Sequence, residues 1–354
     1  MRPLLFTAAL LAVACSVRPV PEASPSPSDK TVTVKAFCTS TKTGPDESTV
    51  STIDVWMYGN LAAFQSGNPA ISHSRADGTS LTIEYDTGDE YLVVVANLPS
   101  HLIDVSDMFS PANLAFDIPG TLISLDDMSD EMVMSGAGDL SDAEDYGEVY
   151  IYVSRLVSKI SVTKVTNRIE ESPWAGKSVT LTGMYIINGV GRMPLRSTGA
   201  GYTPSVSDFF NCSCMYSPSV GPFPDFGQME IQSLATASVG ATIGYGDSFY
   251  PDVILYTGPN QTTSTVSTNL SDLMGATSWT TRRSRIVLQC SIDGKTCYYP
   301  ILLPALYANR WYRYSEIILK HFGSDSPDTP VEFTQVWVAG ETVGWDGEII
   351  SETI

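Results

Sequence analysis

Basic residues are scarce in this 354-residue chain: 20 lysines and arginines stand against 39 aspartates and glutamates, for a net charge of −19. Phosphate backbones demand a basic face, so the balance argues against nucleic acid as a partner. Histidine is scarcer still. His73, His101 and His321 are too few and too scattered for a helical zinc-protease motif, and they read as surface or loop residues. The chain has no Gly-x-Ser-x-Gly elbow, no P-loop and no Gly-x-Gly-x-x-Gly after a strand. Cys212 and Cys214 have no second ligand pair at zinc spacing. The acidic run Asp126 to Met132, with Asp139, Asp142, Glu144 and Asp145, lacks the spacing and glycine of a calcium loop and reads as solvated loops. No catalytic residue, metal or cofactor is called for, and the chain does not read as an enzyme. Past the N-terminus no apolar run reaches 18 residues, the length a membrane-spanning helix needs.

The N-terminus does carry a signal. Arg2 precedes an apolar stretch from Leu4 to Val13, broken only by Thr7, and Ala14-Cys15 follows. These are the charged and apolar regions of an export signal. Residues 1–15 read as a lipoprotein signal ending at Cys15, which would become an acylated, palmitate-bearing N-terminus; the other reading is an ordinary export signal with a chance cysteine. Residues 16–30, with Pro19, Pro21, Pro25 and Pro27, cannot build a core and read as an extended tether.

From Thr31 onward a period of two dominates. KTVTVKAF alternates Val32, Val34 and Ala36 toward one face, and TIDVWMYG does the same with Ile53, Val55 and Met57. Similar segments recur to the end with Gly, Pro, Asn and Asp between them. The pattern predicts an all-β protein of two β-sandwich domains, 31–165 and 166–354, joined near residues 155–170, with short helices inserted between Ser106 and Met134. RIEESPWAG (168–176) is a candidate joint. SLTIEY and EYLVVVANLP, about Thr87-Gly88, read as a hairpin. Asp293-Gly294 is the strongest short hairpin signal in the chain, and a two-residue turn there sets Cys290 opposite Cys297, within disulfide reach. They stand as either a disulfide or two free thiols. Trp279, Trp311, Tyr298, Tyr299, Tyr312 and Tyr314 could stack on sugar rings or pair across a sheet.

The order of these pieces, from the signal through KTVTVKAF, TIDVWMYG, YLVVVANLPS, MSG, VSRLVSKISV and GKTCYYPILL to NRWYRYSEIILKHFGSDSPDTPVEFTQVWVAGETVGW, resembles the fimbrillins, the type V pilins of Gram-negative oral and gut anaerobes. The resemblance implies two transthyretin-like sandwiches and a lipidated precursor held at the outer membrane. It also implies proteolytic removal of the first strand (Val32, Val34, Ala36) and assembly with other pilin subunits into a surface fimbrium that supports adhesion. The groove left behind would accept a donor strand carrying Val336 and Val338 on one face, Phe333 and Trp337 on the other, then Val343 and Trp345; the other reading of this segment is simply the last strand of the second domain. Family processing follows an arginine, but no arginine lies between Arg18 and Arg75; in the loop CTSTKTGPDESTV the only basic residue is Lys42, the candidate cleavage point. The alternatives are an unprocessed anchor or tip subunit of the same pilus, or a glycan-binding surface lipoprotein. No receptor is named by the sequence.

Overall fold

The computed structural model describes residues 30–38, 47–86, 90–128, 131–140, 147–196, 204–212, 233–262, 281–327, 336–344 and 349–351. The strands of the first sandwich are β1 (Thr31–Phe37), β2 (Thr52–Tyr58), β3 (Ser72–Asp77), β4 (Ser80–Glu84), β5 (Tyr91–Ala96), β6 (Leu122–Ser124), β7 (Met134–Asp139), β8 (Glu148–Tyr152) and β9 (Ser154–Arg155). One layer has the order β4-β1-β8, the other β3-β2-β5-β7-β9, and β6 lies apart. Because side chains alternate along a strand, Val32, Val34, Ala36, Val149 and Ile151 from one layer meet Ile53, Val55, Leu92, Val94 and Met134 from the other in a closed core. Gly136 on β7 is fixed by proximity: a Cβ there would collide with the backbone oxygen of Tyr152, so glycine lets the two layers close at this corner.

The second sandwich runs through β10 (Ser158–Val162), β11 (Val165–Asn167), β12 (Val179–Ile187), β13 (Gly189–Val190), β14 (Arg192–Pro194), β15 (Phe209–Phe210), β16 (Thr236–Ile243), β17 (Ser248–Phe249) and β18 (Val253–Thr257). It continues with β19 (Arg285–Ile292), β20 (Lys295–Leu302), β21 (Arg310–Leu319), β22 (Val336–Gly344) and β23 (Ile349–Ser351). One sheet is β16-β12-β19-β20. The other holds β21 at its centre, with β10 and β11 parallel along one edge and β22 antiparallel along the other. The β19–β20 turn has Asp293 at φ 52° and Gly294 at φ 79°, the left-handed pair that a two-residue hairpin requires.

The sandwiches share a core. The second face of β2 and β5 (Trp56, Val93, Val95) lies under a crossing segment that brings Ile103, Ile118, Ile123, Leu125 and Met128. That segment contains helix α2 (Pro111–Leu114), capped by the Ser110 hydroxyl, and ends in β6, which pairs with β14 of the second sandwich. Helix α1 (Leu61–Gln65), capped by the Asn60 side chain, is not signalled by the period-two pattern. A continuous apolar core between units holds them far more firmly than a polar linker would.

Three sequence expectations are corrected. SLTIEY and EYLVVVANLP are not a hairpin: β4 pairs with β1 and β5 with β2 and β7, so the chain crosses from one layer to the other between them. The passage between sandwiches falls between Arg155 and Ser158, inside the expected 155–170 range but ahead of the 165/166 division: β9 ends the first sandwich and β10 begins the second. RIEESPWAG is accordingly a connection inside the second sandwich, leading from β11 to β12.

Candidate functional site

β1 occupies the middle of its sheet. It pairs antiparallel with β4 from Thr31↔Glu84 to Lys35↔Ser80, and parallel with β8 from Thr33↔Glu148 to Phe37↔Tyr152. Val32, Val34 and Ala36 point inward as expected and are 1%, 0% and 3% exposed. Each buried valine contributes roughly 1.5–3 kcal/mol. Removing β1 would therefore open the core and leave two rows of unpaired backbone groups, one on β4 and one on β8.

The outward face of β1 is also engaged. The Lys35 ammonium sits 2.7 Å from the Glu148 carboxylate and 3.5 Å from the Tyr150 hydroxyl, which itself donates to Glu148 at 2.7 Å. The hydrogen bond to Glu148 holds Lys35 above the ordinary lysine range, and the same bond holds Glu148 below the usual carboxylate range. Phe37 meets Tyr150 and Tyr152 edge-on at 6.5 and 5.5 Å, and the Thr33 and Thr82 hydroxyls stand 3.2 Å apart.

Downstream of β1 the chain is pinned at Glu47. On the outer face of the second sandwich, Tyr256, Lys159 and Trp311 form one row across β18, β10 and β21. Glu47 is laid over that row. Its carboxylate accepts from the Lys159 ammonium at 2.8 Å and from the Tyr256 hydroxyl, and its backbone oxygen accepts from Arg155 at 3.0 Å. Lys159 also lies 4.6 Å over the Trp311 ring. Burial pushes the Lys159 ammonium below the ordinary lysine range, while Glu47 pulls it back up. Sequence reading missed this cluster; its one signal is a lysine inside a five-residue strand, SKISV.

The C-terminal segment lies as β22 on the edge of its sheet, paired with β21 from Arg310↔Gly344 to Leu319↔Val336. Val336 and Val343 are buried, Val338 packs against the core, and Trp337 is 44% exposed. Among the described residues its outer edge is covered only by β23, at Thr342 and Val343. Cys15, Lys42, Phe333 and Trp345 lie outside the described residues. Cys290 and Cys297 face each other across β19–β20 as foreseen, as buried free thiols, and burial pushes both up from the usual thiol range.

One histidine departs from expectation. His73 is fully buried, not on the surface: its Nε2 is 3.0 Å from Asp54, its ring stacks on Trp56 at 4.3 Å, and Arg75 closes on the other Asp54 oxygen at 3.2 Å. The group fastens the crossing segment, since His73 Nδ1 faces the Met108 carbonyl and Arg75 donates to the Leu98 carbonyl. Of the aromatics, Tyr299, Tyr312, Tyr314 and Trp311 are buried and unable to stack on a sugar, and Trp279 lies outside the described residues. Tyr298 and Tyr185 line an open groove of about 460 Å³ with Thr182, Gln289 and Asp325. No group of His, Cys, Asp and Glu suited to a metal occurs among the described residues.

No protein-family model and no curated protein matches the chain. Solved structures do. A fimbrilin from Porphyromonas gingivalis W83 superposes with a TM-score of 0.58 at 11% identity, over 89% of this chain and 97% of that one. A candidate cell adhesion protein from Bacteroides eggerthii DSM 20697 gives 0.58 at 14% identity, over 89% and 96%. Another from Parabacteroides distasonis ATCC 8503 gives 0.55 at 17% identity, over 91% and 98%. With two sandwiches, a central first strand and a shared core, the chain has the fold of this fimbrilin and of these candidate cell adhesion proteins.

Proposed function

We propose that the chain is a fimbrial subunit delivered as a lipidated precursor through Cys15. Proteolysis in the loop after β1, with Lys42 as the candidate site, frees the first strand, and an extended segment of a neighbouring subunit takes its place. The C-terminal segment around Val336–Gly344 serves as donor to the next subunit. The observation that carries this reading is the position of β1: a central strand, fully buried on its inner side, followed by a 38–51 connection before β2 begins at Thr52. Strand addition supplies affinity through backbone hydrogen bonds and specificity through alternate side chains. Head-to-tail contact of this kind does not close and gives filaments. A chain cut by a site-specific protease within residues 39–46 is expected to convert from monomer to a ladder of high-mass species by light scattering and gel electrophoresis, while the uncut chain stays monomeric. A cut chain that remains monomeric with β1 released would defeat the reading.

A second reading, glycan binding, rests on the Tyr185/Tyr298 groove, where two half-buried rings lie among hydroxyl, amide and carboxylate groups suited to a sugar. If it holds, binding to a surface polysaccharide in gel retardation falls at least about tenfold in Tyr298→Ala, the loss expected for one stacked ring with its hydrogen bonds. Equal retardation of both proteins would dismiss it.

A further inference from the structure

The inner side of the β1 slot asks only for small apolar side chains at alternate positions, a requirement many strands meet. The outer side asks for more. Along β8 the slot is bordered by Glu148, Tyr150 and Tyr152, and in the precursor these three are answered by Lys35 and Phe37. With β1 gone, Glu148 loses its cation, the Tyr150 ring loses the ammonium 5.3 Å from its centre, and both tyrosines lose their edge-on partner. We propose that this acidic and aromatic border selects the incoming strand, and that the occupant is a strand of a different subunit: one that runs parallel to β8 with a lysine or arginine at the Lys35 position and an aromatic at the Phe37 position. The inference rests on the strand-exchange reading and names the chemistry of its partner.

The chain's own C-terminal strand does not meet this requirement. With Val336 and Val338 set inward in place of Val32 and Val34, β22 presents Trp337, Ala339 and Glu341 outward at the positions of Thr33, Lys35 and Phe37. It offers no cation to Glu148 and puts a carboxylate where the tyrosines hold an aromatic. No alternative register supplies the missing charge, because the sequence has no lysine or arginine after Lys320. Electrostatic complementarity across an interface sets partner choice and register more than raw affinity, and rejection of the wrong partner by unpaired or like charge is part of specificity. The slot thus accepts a second copy of this chain less readily than a cationic donor, and takes the cationic donor where both are offered.

The test uses the full chain cut within residues 39–46 and four labelled synthetic peptides. These are residues 30–38 with Cys38→Ser, the same with Lys35→Glu, residues 336–344, and the last with Ala339→Lys. Expected is exchange of the first peptide into the cut chain, entry about tenfold weaker for Lys35→Glu, and a gain of similar size for Ala339→Lys over unmodified 336–344, each equivalent to about 1.4 kcal/mol. In a Glu148→Lys chain, whose exposed substitution leaves the inner core untouched, the preference at position 35 inverts. Equal entry of the first peptide and its Lys35→Glu form, with no inversion, overturns the selection while leaving strand exchange standing. Exclusion of every peptide from the cut chain, even after its own first strand has left, overturns both.

Discussion

Lys159→Ala is expected to destabilise the protein by about 3 kcal/mol, the low end of the cost of removing one member of a buried ion pair, because Arg155 stays beside the cluster. The Lys159 side chain is wholly inaccessible and that of Glu47 is 6% accessible, so water cannot replace the lost ammonium. The Tyr256 hydroxyl remains on the other Glu47 oxygen, and a neutral donor does not neutralise a carboxylate. Glu47→Leu with Lys159→Met removes both charges, keeps the volume apolar, and is expected to recover most of the loss. Urea unfolding reads both, with the midpoint falling in the single variant at constant slope. A loss below about 1 kcal/mol would place the pair among ordinary exposed bridges and remove the argument that Glu47 fixes the chain to the joint. The consequence is mechanical. Arg155 belongs to the last strand of the first sandwich and Lys159 to the first strand of the second, and Glu47 touches both. Any cut within residues 39–46 lies upstream of this fastening, so the first strand can leave while the two sandwiches stay locked.

How far the sequence disclosed these features depends on how local their causes are. The inward set of β1 follows from alternation alone, and Val32, Val34 and Ala36 point where a period of two puts them. The Cys290↔Cys297 pairing follows from a two-residue turn whose left-handed angles Asp-Gly supplies. Which strand pairs with which is not local. SLTIEY and EYLVVVANLP carry the same alternation whether they form a hairpin or cross between layers, and only packing against β1 and β2 decides. The same limit explains Ser158–Val162, a strand buried on both faces whose sheet could not be assigned from its own residues. Buried polar groups were the least legible. Asp54, His73 and Arg75 sit in a strand pair whose β2 is buried on both faces, and their union depends on the register Asp54↔Arg75 and Trp56↔His73. Glu47 was hidden in a loop, because what it meets is 112 residues away.

Locking β1 in place is expected to abolish assembly outright and reversibly. Thr33 and Thr82 are register partners on β1 and β4 with hydroxyl oxygens 3.2 Å apart on the outward face, away from the core. Cysteines at both positions bring two sulfurs close enough to close a bond of about 2.05 Å with little backbone movement. The cross-link spans the loop that the protease cuts, so a chain cut within residues 39–46 keeps its first strand covalently held by β4. The slot then stays filled, and an incoming strand finds no unpaired backbone on β4 or β8. Cys38 adjoins β1, so the background carries Cys38→Ser, with Cys15→Ser and Cys214→Ser beside it, to prevent wrong pairs; Cys212, Cys290 and Cys297 are buried. The oxidised, cut protein is expected to remain monomeric by light scattering, and a thiol reductant is expected to release high-mass species from the same sample. The inner residues are untouched, so failure to assemble cannot be ascribed to a damaged core, and recovery on reduction excludes misfolding. Assembly of the oxidised form would place the acceptor elsewhere, with the open edge of β22 as the next surface to block. Monomers before and after reduction, with β1 released by the reductant, would defeat the strand-exchange reading, because an emptied slot and a C-terminal strand in the same sample would have failed to join.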